Sequence, residues 1–239
     1  MEMNKLTKEE KQTRIKAIVV FFVIAILIRY ATNKTGLLSP VSNSFLKTIL
    51  QGVGPAIGAI VTCYIFKIKT TMTLKGNASS FVLPLVIFWL VPIFALGLFL
   101  FFKTGEVSGG ILSILIYALF EETGWRGFLQ PMLQFLPKFA GIIIVTVMWF
   151  VWHLNFELSL SNFIFFLILL AGSWGMRAIA NKTHSLIAVS AFHASYDIYA
   201  ATNSRSIVFD LILALCFVLW ILYVIEYRWF KKRVLLDLK

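Results

Sequence analysis

The chain has 239 residues, 59% of them hydrophobic, with 23 Phe and a formal net charge of +11. Only 14% of the residues are charged, whereas a typical soluble domain has roughly 25%. With a mean hydropathy of +0.87, these totals exclude an ordinary soluble domain. They favour a chain that lies in a bilayer, where about 20 apolar residues make one spanning helix.

The positive charge is distributed as in a membrane protein and not as in a nucleic-acid-binding protein. Basic residues cluster at both ends of the chain and in alternate loops, and no basic face is interleaved with exposed aromatic residues. We therefore expect no nucleic-acid partner. Cys63 and Cys216 fall inside apolar segments, so they are expected to be small core residues and not a disulfide or a metal site.

Eight apolar segments, separated by polar breaks, predict an all-α, polytopic membrane bundle of about eight transmembrane helices. The segments are Ala17–Tyr30, Phe45–Phe66, Ser80–Phe102, Val107 to about Gln130, Phe139–Leu154, Asn162–Met176, Ser185–Ala200 and Ile207–Glu226. The first one follows several lysines but no small-residue cleavage site comes after it, so it is predicted to be an uncleaved helix and not a signal peptide.

No internal repeat or low-complexity linker divides the chain. We therefore predict one membrane domain over residues 1–239, with N-terminal helices at 17–106, a core at 107–200 and a last helix and basic tail at 207–239.

The basic loops predict the orientation of the bundle. With both termini in the cytoplasm, seventeen Lys and Arg residues, Arg126 among them, fall inside and five, Arg29 among them, fall outside. This bias agrees with the positive-inside rule and with an even number of membrane-spanning helices. We therefore expect a multi-pass protein of the cell membrane with both termini cytoplasmic.

Several ionisable residues interrupt the apolar segments. A charge at the bilayer centre costs at least about 2.5 kcal/mol on insertion scales, so such residues normally face a cavity or a partner. They are Glu121, Glu122, Arg126, His153, His193 and Asp197.

Helical spacing sorts these residues into pairs. Glu122 and Arg126 are four residues apart, so they share a helix face and can neutralise each other. Glu121 is rotated by about 100° from Glu122 and points elsewhere. We therefore predict that Glu122 is held by Arg126 and that Glu121 is left for chemistry.

Two further four-residue pairs carry imidazoles. They are Trp149 with His153, and His193 with Asp197. A buried carboxylate is a good proton acceptor, and histidines can orient a water molecule or donate to an oxyanion. On this reasoning the set suits hydrolysis by general-base catalysis, with Asp197 holding the His193 ring or binding water.

Three motifs in order make the chain resemble the CPBP intramembrane proteases, which include CAAX prenyl endopeptidases, bacteriocin self-immunity proteins and Abi proteins. The first motif, EExxxR, is present as "EETGWR" at 121–126. The second, FxxxH, is present as "WFVWH" at 149–153, and the third, HxxxN, as "HASYD" at 193–197. The likeness covers the region from Val107 to Ala200.

The resemblance implies an endopeptidase that works through a glutamate-activated water. Glu121 would be the general base with His153 assisting, and His193 with the residue at 197 would support the oxyanion. Glu122 and Arg126 would orient the site. No cofactor is implied.

The chain departs from the family pattern at two positions. Trp149 replaces the common Phe and is expected to narrow the pocket as a supporting residue. Asp197 stands where Asn is common, and an ionised carboxylate cannot donate a hydrogen bond. Asp197 is therefore expected to pair with His193 if it does not serve the oxyanion.

Three alternatives stay open on the residues. Glu121, His153 and His193 could form a His₂Glu zinc site, although no HExxH motif is present. The protein could instead be a non-proteolytic bacteriocin immunity or partner-binding membrane protein, or a proton-coupled transporter. In the protease reading, the partners are the lipid bilayer and a peptide or protein substrate with a hydrophobic or lipidated segment.

Overall fold

A computed structural model describes residues 6–105, 109–202 and 206–236, the last eleven of them (226–236) by backbone alone. All regular elements in these ranges are helices. There are eight of them: α1 Lys8–Lys34, α2 Ser44–Phe66, α3 Val82–Thr104, α4 residues 110–132, α5 Lys138–Trp152, α6 Leu160–Thr183, α7 Leu186–Ala201 and α8 Ile207–Leu236. The prediction of an all-α polytopic bundle is confirmed.

Each helix coincides with one predicted apolar segment, and the differences lie at the ends. α1 begins at Lys8, well before Ala17, because Thr7 and Glu10 form a capping box at its start. α6 continues beyond Met176 to Thr183, since a polar end can remain helical. The predicted start at Val107, and the ends of the two basic tails at residues 1–5 and 237–239, lie outside the described residues.

Five helices are long and apolar enough to cross a membrane, namely α1, α2, α3, α6 and the Ile207–Ile225 part of α8. The other three are shorter or interrupted. α7 is buried around most of its circumference, which is typical of a helix at the centre of a bundle. This architecture is that of a multi-pass membrane protein.

α4 carries the first motif through the middle of the bundle, between α2 and α7. It consists of Gly110–Gly124, a π-helical turn at Trp125–Leu129 and a last turn at Gln130–Met132. A Cβ on Gly124 would collide with the Cβ of Pro55 on α2, so glycine is what permits the close approach. π-helical turns are frequent at functional sites.

Two arginines that entered the orientation count are buried in helices. Arg126 is fully buried in the π-helical turn of α4, and Arg29 lies inside α1 with 9% of its surface exposed. Both residues lie inside predicted apolar segments, and a buried cation is no evidence for the side of the membrane on which a loop lies. The direction of the termini stays a prediction.

The loop between α2 and α3 fixes the start of α7. The backbone N–H of Thr73 donates to the His184 carbonyl, and the N–H of Leu186 donates to the Thr73 carbonyl. Gly76, at φ 63°, lies directly against this turn. His184 is thereby part of the α6–α7 turn and not of the motif cluster.

Candidate active site

Glu122 joins two of the three motifs. Its Oε1 accepts a hydrogen bond from Arg126 (2.8 Å) and one from His193 Nδ1 (2.7 Å). Glu122 and Arg126 are both fully buried, and Arg126 also donates to the Ser173 hydroxyl at 3.4 Å. The structure thus pairs Glu122 with Arg126 as expected, and it gives Glu122 the additional task of holding the His193 ring.

Glu121 has two unequal carboxylate oxygens. Its Oε2 accepts from the indole N–H groups of Trp149 (2.7 Å) and Trp125 (3.3 Å). Its Oε1 is buried and, like Oε2 of Glu122, has no hydrogen-bond partner of standard geometry among the described residues; the Tyr117 hydroxyl, one turn earlier on α4, interacts with the same carboxylate. Buried polar atoms in native proteins nearly always have a partner, protein or water, so an oxygen without a protein partner is a position suited to a reacting water. The carboxylate is thus fixed through one oxygen and available through the other.

Trp149 lies at the centre of the cluster. Besides its bond to Glu121, its ring lies 4.6 Å from the Arg126 guanidinium and 5.0 Å from the His193 ring. The His153 ring is 6.2 Å away. A phenylalanine at this position could not donate to Glu121, so the exchange of Phe for Trp does more than narrow the pocket.

His153 terminates α5. Its Nδ1 lies 2.8 Å from the carbonyl oxygen of Trp149. Because a carbonyl oxygen only accepts, Nδ1 carries the proton, and the lone pair of the neutral ring is on Nε2. The ring packs edge-on against Phe165 (4.8 Å) and Trp152 (5.2 Å), which fixes its plane.

His193 and Asp197 face each other on α7. The Nε2 of His193 lies 3.4 Å from Asp197 Oδ2, and Asp197 is 28% exposed whereas His193 is 7% exposed. Since Glu122 occupies the Nδ1 side, the Nε2 side of the ring faces Asp197. This is the pairing that an Asp in place of Asn predicted.

A cavity of about 430 Å³ lies beside the cluster, between α5, α6, α7 and α8. Trp149, His153, His193 and Asp197 form its polar end, and the remaining walls are almost entirely apolar. Glu121 does not line the cavity, but Trp149, which donates to its Oε2, does. Trp149 therefore contacts both the cavity and Glu121, the candidate general base.

Three contributors to the site were not found in the sequence. Trp125 follows Glu121 by four residues, so helical spacing could have identified it. Ser173 on α6 and Arg29 on α1 contact the cluster from helices without a motif, and only the packing of the bundle reveals them. Arg29 lies with its guanidinium 4.1 Å from the ring centre of Trp152, the neighbour of His153.

No group of three or more His, Cys, Asp or Glu side chains that could hold a metal ion is found within the described ranges. The Nδ1 atoms of His153 and His193 are both engaged by protein oxygens. Metal independence nevertheless stays a prediction.

The fold and the site together define a polytopic helical membrane protein with a buried cluster of carboxylates and imidazoles. Residues 103–199 match the family model described as "Rce1-like: Type II CAAX prenyl endopeptidase Rce1-like". This match spans all three motifs and confirms the resemblance to the CPBP family. At the family level it supports a CAAX-protease-like intramembrane endopeptidase, that is, a peptidase. A search of curated proteins found no match.

Proposed function

We propose that this protein is a glutamate-dependent endopeptidase that cleaves a peptide bond within the membrane. The observation that carries the proposal is the state of Glu121. Its Oε2 is held by two neutral indoles and its Oε1 accepts no hydrogen bond, whereas Glu122, whose Oε2 is also unpartnered, is paired with the Arg126 cation and with His193. A general base needs this combination of fixed orientation and an available lone pair.

In the proposed reaction, the attacking water lies between Glu121 Oε1 and His153 Nε2. The water oxygen forms a bond to the scissile carbonyl carbon while its proton passes to Glu121. The carbonyl π electrons move to oxygen and give a tetrahedral oxyanion. The oxyanion then re-forms the carbonyl as the C–N bond breaks, and Glu121 returns the proton to the leaving nitrogen, which releases a carboxylic acid and an amine.

His193 is the proposed donor to the oxyanion. Glu122 accepts from its Nδ1, which holds the ring with Nε2 toward the cavity. A positively charged His193 between Glu122 and Asp197 carries a proton on both nitrogens, so Nε2 can donate. Asp197 stabilises that positive charge, and it occupies the position at which the family motif has an Asn amide.

The proposed substrate is a peptide or protein with a hydrophobic or lipidated segment next to the cut bond. The cavity is apolar except at the catalytic end, and such walls accept hydrocarbon and exclude water. The family description names prenylated CAAX proteins, and a prenylated segment is the first candidate for this chain. We further propose that the protein lies in the cell membrane with both termini cytoplasmic.

The test is cleavage by purified protein in detergent. Wild type and Glu121→Gln would be incubated with a panel of hydrophobic and prenylated peptides, and the products would be read by mass spectrometry. We expect wild type to cleave at one bond and the variant to leave the peptide intact. If neither cleaves any peptide while wild type binds one of them tightly, the proposal gives way to a binding or immunity role.

A further inference from the structure

Arg29 is a buried cation on a helix that contributes no motif. It belongs to α1, and within the described residues no carboxylate lies within ion-pair distance of it. Its NH1 donates to the Gln51 carbonyl (2.9 Å), and the side chain of Asn33, with its carbonyl turned toward the guanidinium, accepts from Nε (2.9 Å). A buried charge with only neutral partners is expensive and normally has a function.

The third contact of Arg29 leads toward the site. Its guanidinium carbon lies 4.1 Å from the centre of the Trp152 ring, a cation–π arrangement. The same indole donates its N–H to the Ala25 carbonyl, one turn earlier on α1 (3.2 Å). α1 therefore holds Trp152 both through the ring face and through its N–H.

Trp152 in turn contacts two residues of the catalytic cluster. Its ring lies edge-on to His153 at 5.2 Å and to Trp125 at 6.0 Å. Trp125 is one of the two donors to Glu121. A shift of Trp152 would therefore reach both the candidate base and its assisting histidine.

We infer that Arg29 is a positioning residue that orients the catalytic centre through Trp152. This inference deepens the proposed function, since it concerns the same site. Arg29 lines no part of the cavity, so its effect should fall on the chemical step and not on substrate binding. Small displacements of a catalytic group are costly because rate depends steeply on geometry.

The kinetic test compares Arg29→Met, Arg29→Lys and Arg14→Met with wild type on a cleaved peptide. Arg14 is the matched control: it also lies on α1 and donates to backbone carbonyls of another helix, those of Pro131 and Met132, but away from the cluster. We expect Arg29→Met to lower kcat by tenfold or more with KM within twofold. Arg29→Lys, which keeps a cation for the indole, should recover part of the loss, and Arg14→Met should leave kcat unchanged.

A second readout needs no activity. The three histidines would be modified with diethyl pyrocarbonate and the rate at each would be measured by mass spectrometry. We expect Arg29→Met to raise the rate at His153 severalfold, because its ring loses a fixed neighbour, while the rate at His184, in the α6–α7 turn, stays constant. If wild type cleaves nothing, the proposed function fails while this readout still decides the role of Arg29.

The inference is overturned by any of three results. An unchanged kcat together with an unchanged His153 modification rate would show that Arg29 does not position the site. A rise in KM alone would make Arg29 a binding residue. If kcat falls equally in Arg29→Met, Arg29→Lys and Arg14→Met, and the thermal stability of each variant falls in parallel, α1 contributes only to folding.

Discussion

The buried pair of Glu122 and Arg126 gives a prediction about stability. Both side chains are fully buried, and their contact is 2.8 Å. Removing one partner leaves the other charge buried without compensation, which costs about 3–5 kcal/mol in unfolding free energy. We expect this loss for Glu122→Leu and for Arg126→Met alike.

The double variant should lose much less than the sum of the two. Without either charge, apolar side chains of similar volume fill the space, and His193, which loses Glu122, still has Asp197 beside it. The coupling energy should therefore be about 3 kcal/mol. It would be measured by unfolding of detergent-solubilised protein in increasing dodecyl sulfate, with helicity followed by circular dichroism.

A neutral pair elsewhere in the bundle provides the control. Gln130 donates to Asn181 at 3.0 Å, joining α4 to α6 without a charge. The same cycle with Gln130→Met and Asn181→Leu should give a coupling of only about 1 kcal/mol, the value of an ordinary hydrogen bond. Additive losses for Glu122 and Arg126, or a coupling no larger than in the control, would refute the assignment of Glu122 as the partner that compensates Arg126.

Three further predictions concern activity. Trp149→Phe keeps the ring contacts but removes the 2.7 Å donor to Glu121, so kcat should fall about tenfold to a hundredfold, the value of one hydrogen bond to a charged group; steady-state kinetics showing an unchanged kcat would contradict this. Gly175 lines the cavity and an added Cβ there meets nothing within 4 Å, whereas Gly97 has equally open space but lies outside that cavity. Gly175→Leu should therefore raise KM for bulky apolar substrates at least tenfold, and Gly97→Leu should not. Equal KM values for the two variants would show that this cavity does not bind the substrate. Peptide cleavage should persist after dialysis against a strong chelator, with removal of metal verified by mass spectrometry. Loss of cleavage on chelation and its recovery with added zinc would favour the His₂Glu site.

The helices could be predicted from the sequence because apolar segments bounded by polar residues are a local signal. The same holds for contacts within one helix, such as Glu122 with Arg126, since they depend only on helical spacing. The family motifs added which helices converge. These sources together predicted the all-α membrane fold and the motif residues that the structure brings together, but not Trp125, Ser173 or Arg29.

Contacts between helices could not be predicted in this way. Nothing in the spacing of α4 shows that Glu122 binds His193 or that Trp149 donates to Glu121, since both contacts depend on the crossing of separate helices. The role of Arg29 was missed for the same reason. It lies near the end of α1, and only the packing of α1 against α5 shows that it contacts Trp152.

The central claim is that Glu121 performs the chemistry and is not needed for folding. The most direct measurement is kcat of Glu121→Gln, which preserves the shape of the side chain but removes the base, together with its unfolding midpoint. We predict a fall in kcat of about a hundredfold to ten-thousandfold, the range that loss of a general base produces, with an unfolding midpoint near that of wild type. Cleavage at the wild-type rate by a folded Glu121→Gln protein would contradict the account.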